Sequence, residues 1–500
     1  MTGPRTIAAG GPALPGIFAL LGIAALAVVL GAALAYGNPT PLLVVALLII
    51  LAIGWQHVAY AVPAALLVLT LNGVPFLNLE TFAVPGSFQP EDITIIGLIL
   101  IAAGRLAFGE PRPVNRFQRF LWVWLPIFLV VWLAATIRGI DAGASPLKAS
   151  LFGRDFLYFA ILAPLAGYLF SGSRDLRRFC VIVGAWTGLF AAFLILANLG
   201  GVDASVVNAS LTSEVGPVTR IYTPMTDLVV VVFAVSLAYA LLKSGRGRNW
   251  AILLASLTGF ASALSLTRAL YFGLILGIAI GVCVWALRGS ESGQRLRRRL
   301  ATTMGTIAVL GVLLLVAFPG LTRSGPVSVF GERIETGVTA LTTGRTANTV
   351  NTVTYRENLS ETMLRYLGDR WPLGLGFVPP SARYVPSLPL GTIRNPDVGL
   401  LNSVMTIGVL GTLLLYAPII FLLILLFLRS AAATSAWQDL WLGLMIWGIA
   451  VLAGSLTLLT LFSRTGLLLT AVVLGVAGQA MLLDAMPDGE RAERPVEGAV

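Results

Sequence analysis

The chain has 500 residues, 57% of them hydrophobic and only 11% charged. Soluble domains carry roughly 25% charged residues, so a water-soluble globular fold is excluded and much of the burial must come from a bilayer. Lysine and arginine outnumber aspartate and glutamate by 33 to 23, a net charge of +10. In a polytopic chain that excess reflects basic cytoplasmic loops and contact with anionic membrane lipids, not nucleic acid.

Metal and redox chemistry have little to work with. The two cysteines, Cys180 and Cys283, fall in or beside apolar runs, so neither a disulfide framework nor a thiolate metal site is expected. The single histidine, His57, rules out a histidine cluster. No cofactor and no metal are expected.

A spanning helix needs about 20 apolar residues. In chain order, candidate spans fall near 15–36, 39–55, 57–72, 92–109, 119–137, 155–170, 179–198, 225–242, 250–267, 269–287, 301–318, 400–428, 438–461 and 467–483. The expected fold is therefore an all-α polytopic membrane protein of about 12–14 transmembrane helices. The first run ends in Ala33-Leu34-Ala35, which resembles a signal-peptidase site. It is long for a signal peptide and has only Arg5 ahead of it, so it reads as a retained helix. Gly273, Gly277 and Gly281 form a GxxxGxxxG on the tenth span, a signature of close helix packing.

One long polar interval, 319–399, separates an N-terminal bundle (1–318) from C-terminal helices (400–483), and a polar, disordered cytoplasmic tail follows (484–500). Alternation of basic loops sets the orientation, with the N-terminus inside. Arg105 to Arg119, Arg174 to Arg178, Lys243 to Arg248 and Arg288 to Arg299 all fall on the cytoplasmic side. The long interval then lies outside. Within it, 349–371 has helical character, with Val353, Leu359, Met363, Leu367 and Trp371 near one face and a Glu361–Arg365 pair. This segment reads either as an amphipathic helix on the membrane or as an ordinary packed loop helix. Trp371-Pro372-Leu373-Gly374-Leu375-Gly376-Phe377 reads as a turn; without a preceding strand, its glycines are no nucleotide fingerprint.

On the outer side, isolated arginines sit at the ends of apolar spans: Arg154, Arg220, Arg268 and Arg464. A guanidinium is permanently charged and presents a planar fork that matches phosphate oxygens. Arginines at helix ends also simply reach for lipid headgroups. Arg268, at a tight break between two spans, has least freedom to do so.

Three pieces in order resemble the O-antigen ligase and O-antigen polymerase superfamily of bacterial envelopes. They are Thr219-Arg220-Ile221-Tyr222-Thr223-Pro224-Met225, Leu264-Ser265-Leu266-Thr267-Arg268-Ala269-Leu270, and Arg356-Glu357 through the Trp371–Phe377 turn. Asn395-Pro396-Asp397-Val398-Gly399 and Gly408-Val409-Leu410-Gly411 resemble the element that re-enters the membrane there. The likeness covers about half the chain, from near 200 to near 430.

The resemblance implies a metal-independent, inverting glycan ligase or polymerase of the inner (cytoplasmic) membrane. It would draw on a polyprenyl-pyrophosphate-linked glycan at the outer face, with a glycan or lipid acceptor and other polysaccharide-assembly proteins as partners. Arg220, Arg268 and Arg356 match family arginines that engage pyrophosphate, and Arg394 lies in the same returning region. Ligases of the family carry a histidine there; this chain has Arg394, Asn395 and Asp397 instead, which favours a polymerase or a carboxylate-using variant. Asp397 is the first candidate for general base, with Glu357 and Glu361 behind it. Asp397 also reads as a helix cap. A lipid-linked glycan flippase or polysaccharide transporter is the alternative, though no second long loop pairs with the first.

Overall fold

The computed structural model describes residues 90–108, 113–170, 172–198, 225–265, 361–378, 399–430, 437–456 and 464–485, the backbone of 211–215, 218–222 and 268–287, and scattered residues in 54–66 and 296–310. Among the described residues there are ten long helices: α1 (Pro90–Phe108), α2 (Arg116–Asp141), α3 (Pro146–Leu165), α4 (Ser173–Asn198), α5 (Met225–Leu242), α6 (Arg246–Leu264), α7 (Arg268–Leu287), α8 (Gly399–Arg429), α9 (Gln438–Ser455) and α10 (Arg464–Ala485). A short antiparallel hairpin, β1 (Leu211–Val215) and β2 (Val218–Tyr222), precedes α5, with Ser213 opposite Arg220.

Among the described residues, eight helices are long and apolar enough to cross a bilayer. The protein is thus an all-α multi-pass membrane protein. The spans expected at 15–36 and 39–55 lie outside the described residues or nearly so, and those at 57–72 and 301–318 are described only in part. The outward faces confirm the solvent. On α2, Val123, Ile127, Val130, Leu133 and Ile137 are all exposed, an apolar stripe at helical spacing. A soluble protein rarely leaves so much contiguous apolar surface open.

α10 is the hub. Its spanning window is entirely buried, and it packs on α3, α4, α5 and α8. α7 lies against α9 through its glycines: a Cβ on Gly273 would stand 2.6 Å from the Ala450 carbonyl oxygen, and one on Gly277 would collide with that of Ile446. The GxxxGxxxG is a packing face, as its spacing implies.

Two ends of the bundle differ in charge. At the basic end, Arg105 donates to the Leu169 carbonyl (3.2 Å), Lys243 pairs with Asp439 (3.2 Å) and Arg429 with Asp484 (3.0 Å). Asn115 caps α2 and donates to the Gly478 carbonyl of α10 at 2.6 Å. Asp484 therefore belongs to α10 and not to the polar tail in which the sequence reading put it, because Arg429 of α8 holds it there. The opposite, far end gathers the starts of α1, α3, α5, α7, α8 and α10. The described residues of the basic loops grouped on one side by charge alternation share one end of the bundle.

Candidate functional site

Part of the long interval is built into the far end. Residues 361–367 form a helix whose Met363 and Leu367 are buried with Leu375 and Met405. This is a packed loop helix. Trp371, expected on the same face, is instead half exposed, because the turn at Gly368–Arg370, with Gly368 at φ +48°, rotates the chain away.

The turn that follows is a wedge driven into α8. Leu375 and Gly376 N–H donate to the Met405 and Thr406 carbonyls at 2.7 and 3.0 Å. The Val409 and Leu410 N–H groups, which those carbonyls would otherwise accept from along the helix, donate to Trp371 and Pro372 carbonyls at 3.0 and 3.2 Å. Two helical hydrogen bonds are exchanged for four to the loop, so the four backbone groups freed where α8 breaks stay paired. The geometry requires glycine on both sides. Gly374 and Gly376 have φ +72° and +88°, and Gly408, inside α8, has φ +73°. Phe377 then plugs the bundle, fully buried between Trp132, Phe152 and Phe156, with its N–H on the Ala135 carbonyl (3.0 Å).

Beside Phe377 lies a buried ionic cluster. Each Asp92 carboxylate oxygen meets a guanidinium, Arg154 at 3.0 Å and Arg464 at 3.1 Å, and Arg464 Nε also donates to Asp155 at 2.7 Å. Two acids and two bases balance, which makes burial tolerable. The sequence reading placed Arg154 at the start of its span. The helix in fact begins at Pro146, with Ser145 as N-cap, so Arg154 and Asp155 lie more than two turns inside it. Lys148 and Arg154 interrupt the apolar window and delayed its apparent start. Arg154 and Arg464 are ties between helices, not headgroup anchors.

A narrow cleft of about 30 Å³, room for a few waters, opens on the other side of the α10 N-terminus, among α5, α7, α9 and α10. Its walls are apolar: Val230, Leu270, Trp447, Val451 and Leu469. One carboxylate, Asp227, joins the lining and is buried. Arg268 is the first residue of α7, two before the lining Leu270, and Arg220 stands on β2, the strand that leads into α5. The helices α5, α7 and α10 all begin at this mouth, and helix N-termini favour anions.

No family model matches the chain, and no curated protein does. Of the candidate site residues, Arg268 opens α7, whose Leu270 lines the cleft, and Arg220 lies on β2, which contributes no lining residue among those described. Arg356, Glu357, Arg394 and Asp397 lie outside the described residues. Glu361 is exposed and paired with Arg365 at 2.6 Å. Among the described residues, no three of His, Cys, Asp and Glu group as metal ligands.

Three residues escaped the sequence reading. Asp92 and Asp155 are acids whose shared tie, Arg464, is distant in sequence from both. Asp227 had a visible signal, an acid in the first turn of an otherwise apolar helix, but a first-turn acid also serves the helix dipole.

Proposed function

We propose that the protein is a membrane glycosyltransferase of the O-antigen ligase and polymerase kind. It transfers or polymerises a glycan from a polyprenyl-pyrophosphate carrier at the outer face of the bacterial inner membrane. The observation that carries this reading is the far-end cleft: a narrow apolar cleft opening at a mouth where three helices begin, with Arg268 the first residue of one of them and Arg220 on the strand that precedes another in the chain. The apolar walls match an isoprenoid tail in chemistry, with the helices parting to admit it, and a diphosphate suits the mouth.

In this reading an acceptor hydroxyl attacks the anomeric carbon from the face opposite the carrier. The bond from that carbon to the pyrophosphate oxygen breaks, configuration inverts, and the hydroxyl proton passes to a carboxylate. Asp397 and Glu357 are candidates for that base, and Asp227 joins them because it lines the cleft. Arg220, Arg268, Arg356 and Arg394 stabilise charge on the departing pyrophosphate.

The test is transfer rate per folded protein in reconstituted membranes with a polyprenyl-pyrophosphate glycan. Arg268→Ala and Arg220→Ala should each lower it by at least about tenfold, since a hydrogen bond to a charged group is worth ~1.5–3 kcal/mol. Lysine at either position should rescue only in part. Wild-type rates in both alanine variants would remove these arginines from the site.

A further inference from the structure

A second groove lies at the basic end, independent of the cleft and of the reading given to it. It has a volume of about 510 Å³ and is lined by Tyr60, Ser173, Arg174, Arg177, Arg178, Val181 and Ile182. Arg174, Arg177 and Arg178 are exposed on the first turns of α4. Arg177 is partly engaged, its guanidinium 5.7 Å from the Trp437 ring. Asp175 is the one acid in the first turn. One turn deeper into the membrane, Val181 is largely exposed, and Trp186 and Leu189 continue the outward apolar face of α4.

This arrangement costs the helix something. Positive charge at a helix N-terminus opposes the macrodipole, and Arg174 and Arg178, four apart, repel each other across one turn. Asp175 and the contacts that Arg174 makes within the protein offset part of this, and an anion between Arg174 and Arg178 relieves the rest. The order along α4, arginines first and then an exposed aliphatic and aromatic face running into the bilayer, matches an amphiphile with an anionic head and acyl chains. A soluble anion would have no use for the apolar continuation.

We propose that this groove is a binding site for an anionic phospholipid, its phosphate held by Arg174 and Arg178 and its chains laid along Val181 and Ile182. Basic pockets between spanning helices at the cytoplasmic side are where such headgroups bind. The occupant is a structural lipid and not the transferase substrate, because the groove lies at the opposite end of the bundle from the cleft.

The experiment is native mass spectrometry of the detergent-purified full chain, titrated with phosphatidylglycerol or with phosphatidylcholine of the same chains. At least one phosphatidylglycerol should be retained under conditions that strip phosphatidylcholine. The Arg174→Gln/Arg178→Gln variant should weaken that retention by about tenfold or more. Arg246→Gln, exposed at the same end but outside the groove, is the comparison and should bind as the wild type does. A melting curve of each variant without added lipid checks that the fold is intact; should the double variant unfold, the single Arg178→Gln variant carries the test with a smaller loss expected. Equal retention of the two lipids by the wild type overturns the proposal. So does an equal loss in Arg246→Gln, which would mean diffuse surface charge. Displacement of the lipid by millimolar inorganic phosphate would overturn it too, since the site would then be a phosphate site without an acyl component.

Discussion

Replacing Gly376 with alanine probes how the long interval is fixed to the bundle. Its φ of +88° lies where an L side chain is strained, a penalty of about 1–2 kcal/mol. A Cβ there would also stand 2.5 Å from the Ala135 carbonyl oxygen and 2.8 Å from the Arg138 carbonyl carbon. Both are backbone and cannot swing aside, so overpacking adds about 1–3 kcal/mol. The expected loss is therefore about 2–5 kcal/mol, concentrated on the wedge. Gly143→Ala separates the two effects, because Gly143 has φ +94° with nothing within 4 Å of an added Cβ; it should show the strain alone. The assay is thermal unfolding in detergent, combined with limited proteolysis mapped across 361–378. Gly376→Ala should melt well below Gly143→Ala and be cut faster in that segment. If the two variants melt together and the segment is cut at the wild-type rate, the wedge does not hold the loop as described.

Other expectations follow from the remaining contacts. Arg464→Ala leaves Asp92 and Asp155 short of a partner in a buried site and should cost about 3–5 kcal/mol, read as a fall in melting temperature that added salt does not reverse. Asp227→Asn should lower transfer without lowering the melting temperature if its carboxylate serves the cleft; Asp397→Asn in the same assay shows which acid takes the proton. Asn402 is fully buried, and neither of its amide atoms has a partner among the described residues. Asn402→Leu should leave stability unchanged or raise it, and a fall would mean the amide is satisfied. In a variant lacking Cys180 and Cys283, single cysteines at Asp141 and Ser244, exposed at opposite ends of the bundle, should react with impermeant reagents from opposite sides of the membrane.

The spans were legible where composition is unmixed. The window at 225–242 coincides with Met225–Leu242 because, Asp227 in the first turn apart, the helix is apolar throughout. It failed at α3, where charged residues lie inside the helix and are neutralised by Asp92 and Arg464 from other helices. A hydropathy window sees the cost of burying Arg154 but not the partner that offsets it. The wedge shows the same limit from the other direction. Gly374 and Gly376 read correctly as a turn, yet the break in α8 was invisible: 400–428 is continuously apolar, and only the loop's own N–H and carbonyl groups make the break tolerable. The arginines were found because charge at the end of an apolar span stands out. That Arg154 and Arg464 are spent on helix ties depends on tertiary neighbours that the sequence does not show.

The most direct test of the cleft uses a polyprenyl pyrophosphate whose isoprenoid tail carries a photoreactive group. Reconstituted full-length protein is irradiated with it and the adducts are mapped by peptide sequencing. Adducts should fall on α9 and α10 around Val451 and Leu469, and Leu469→Trp, which fills the cleft, should abolish both the adducts and transfer. Labelling confined to the outward faces of α2 or α8, unchanged in Leu469→Trp, would mean that the carrier meets the protein only as bulk lipid and that the cleft is not its site.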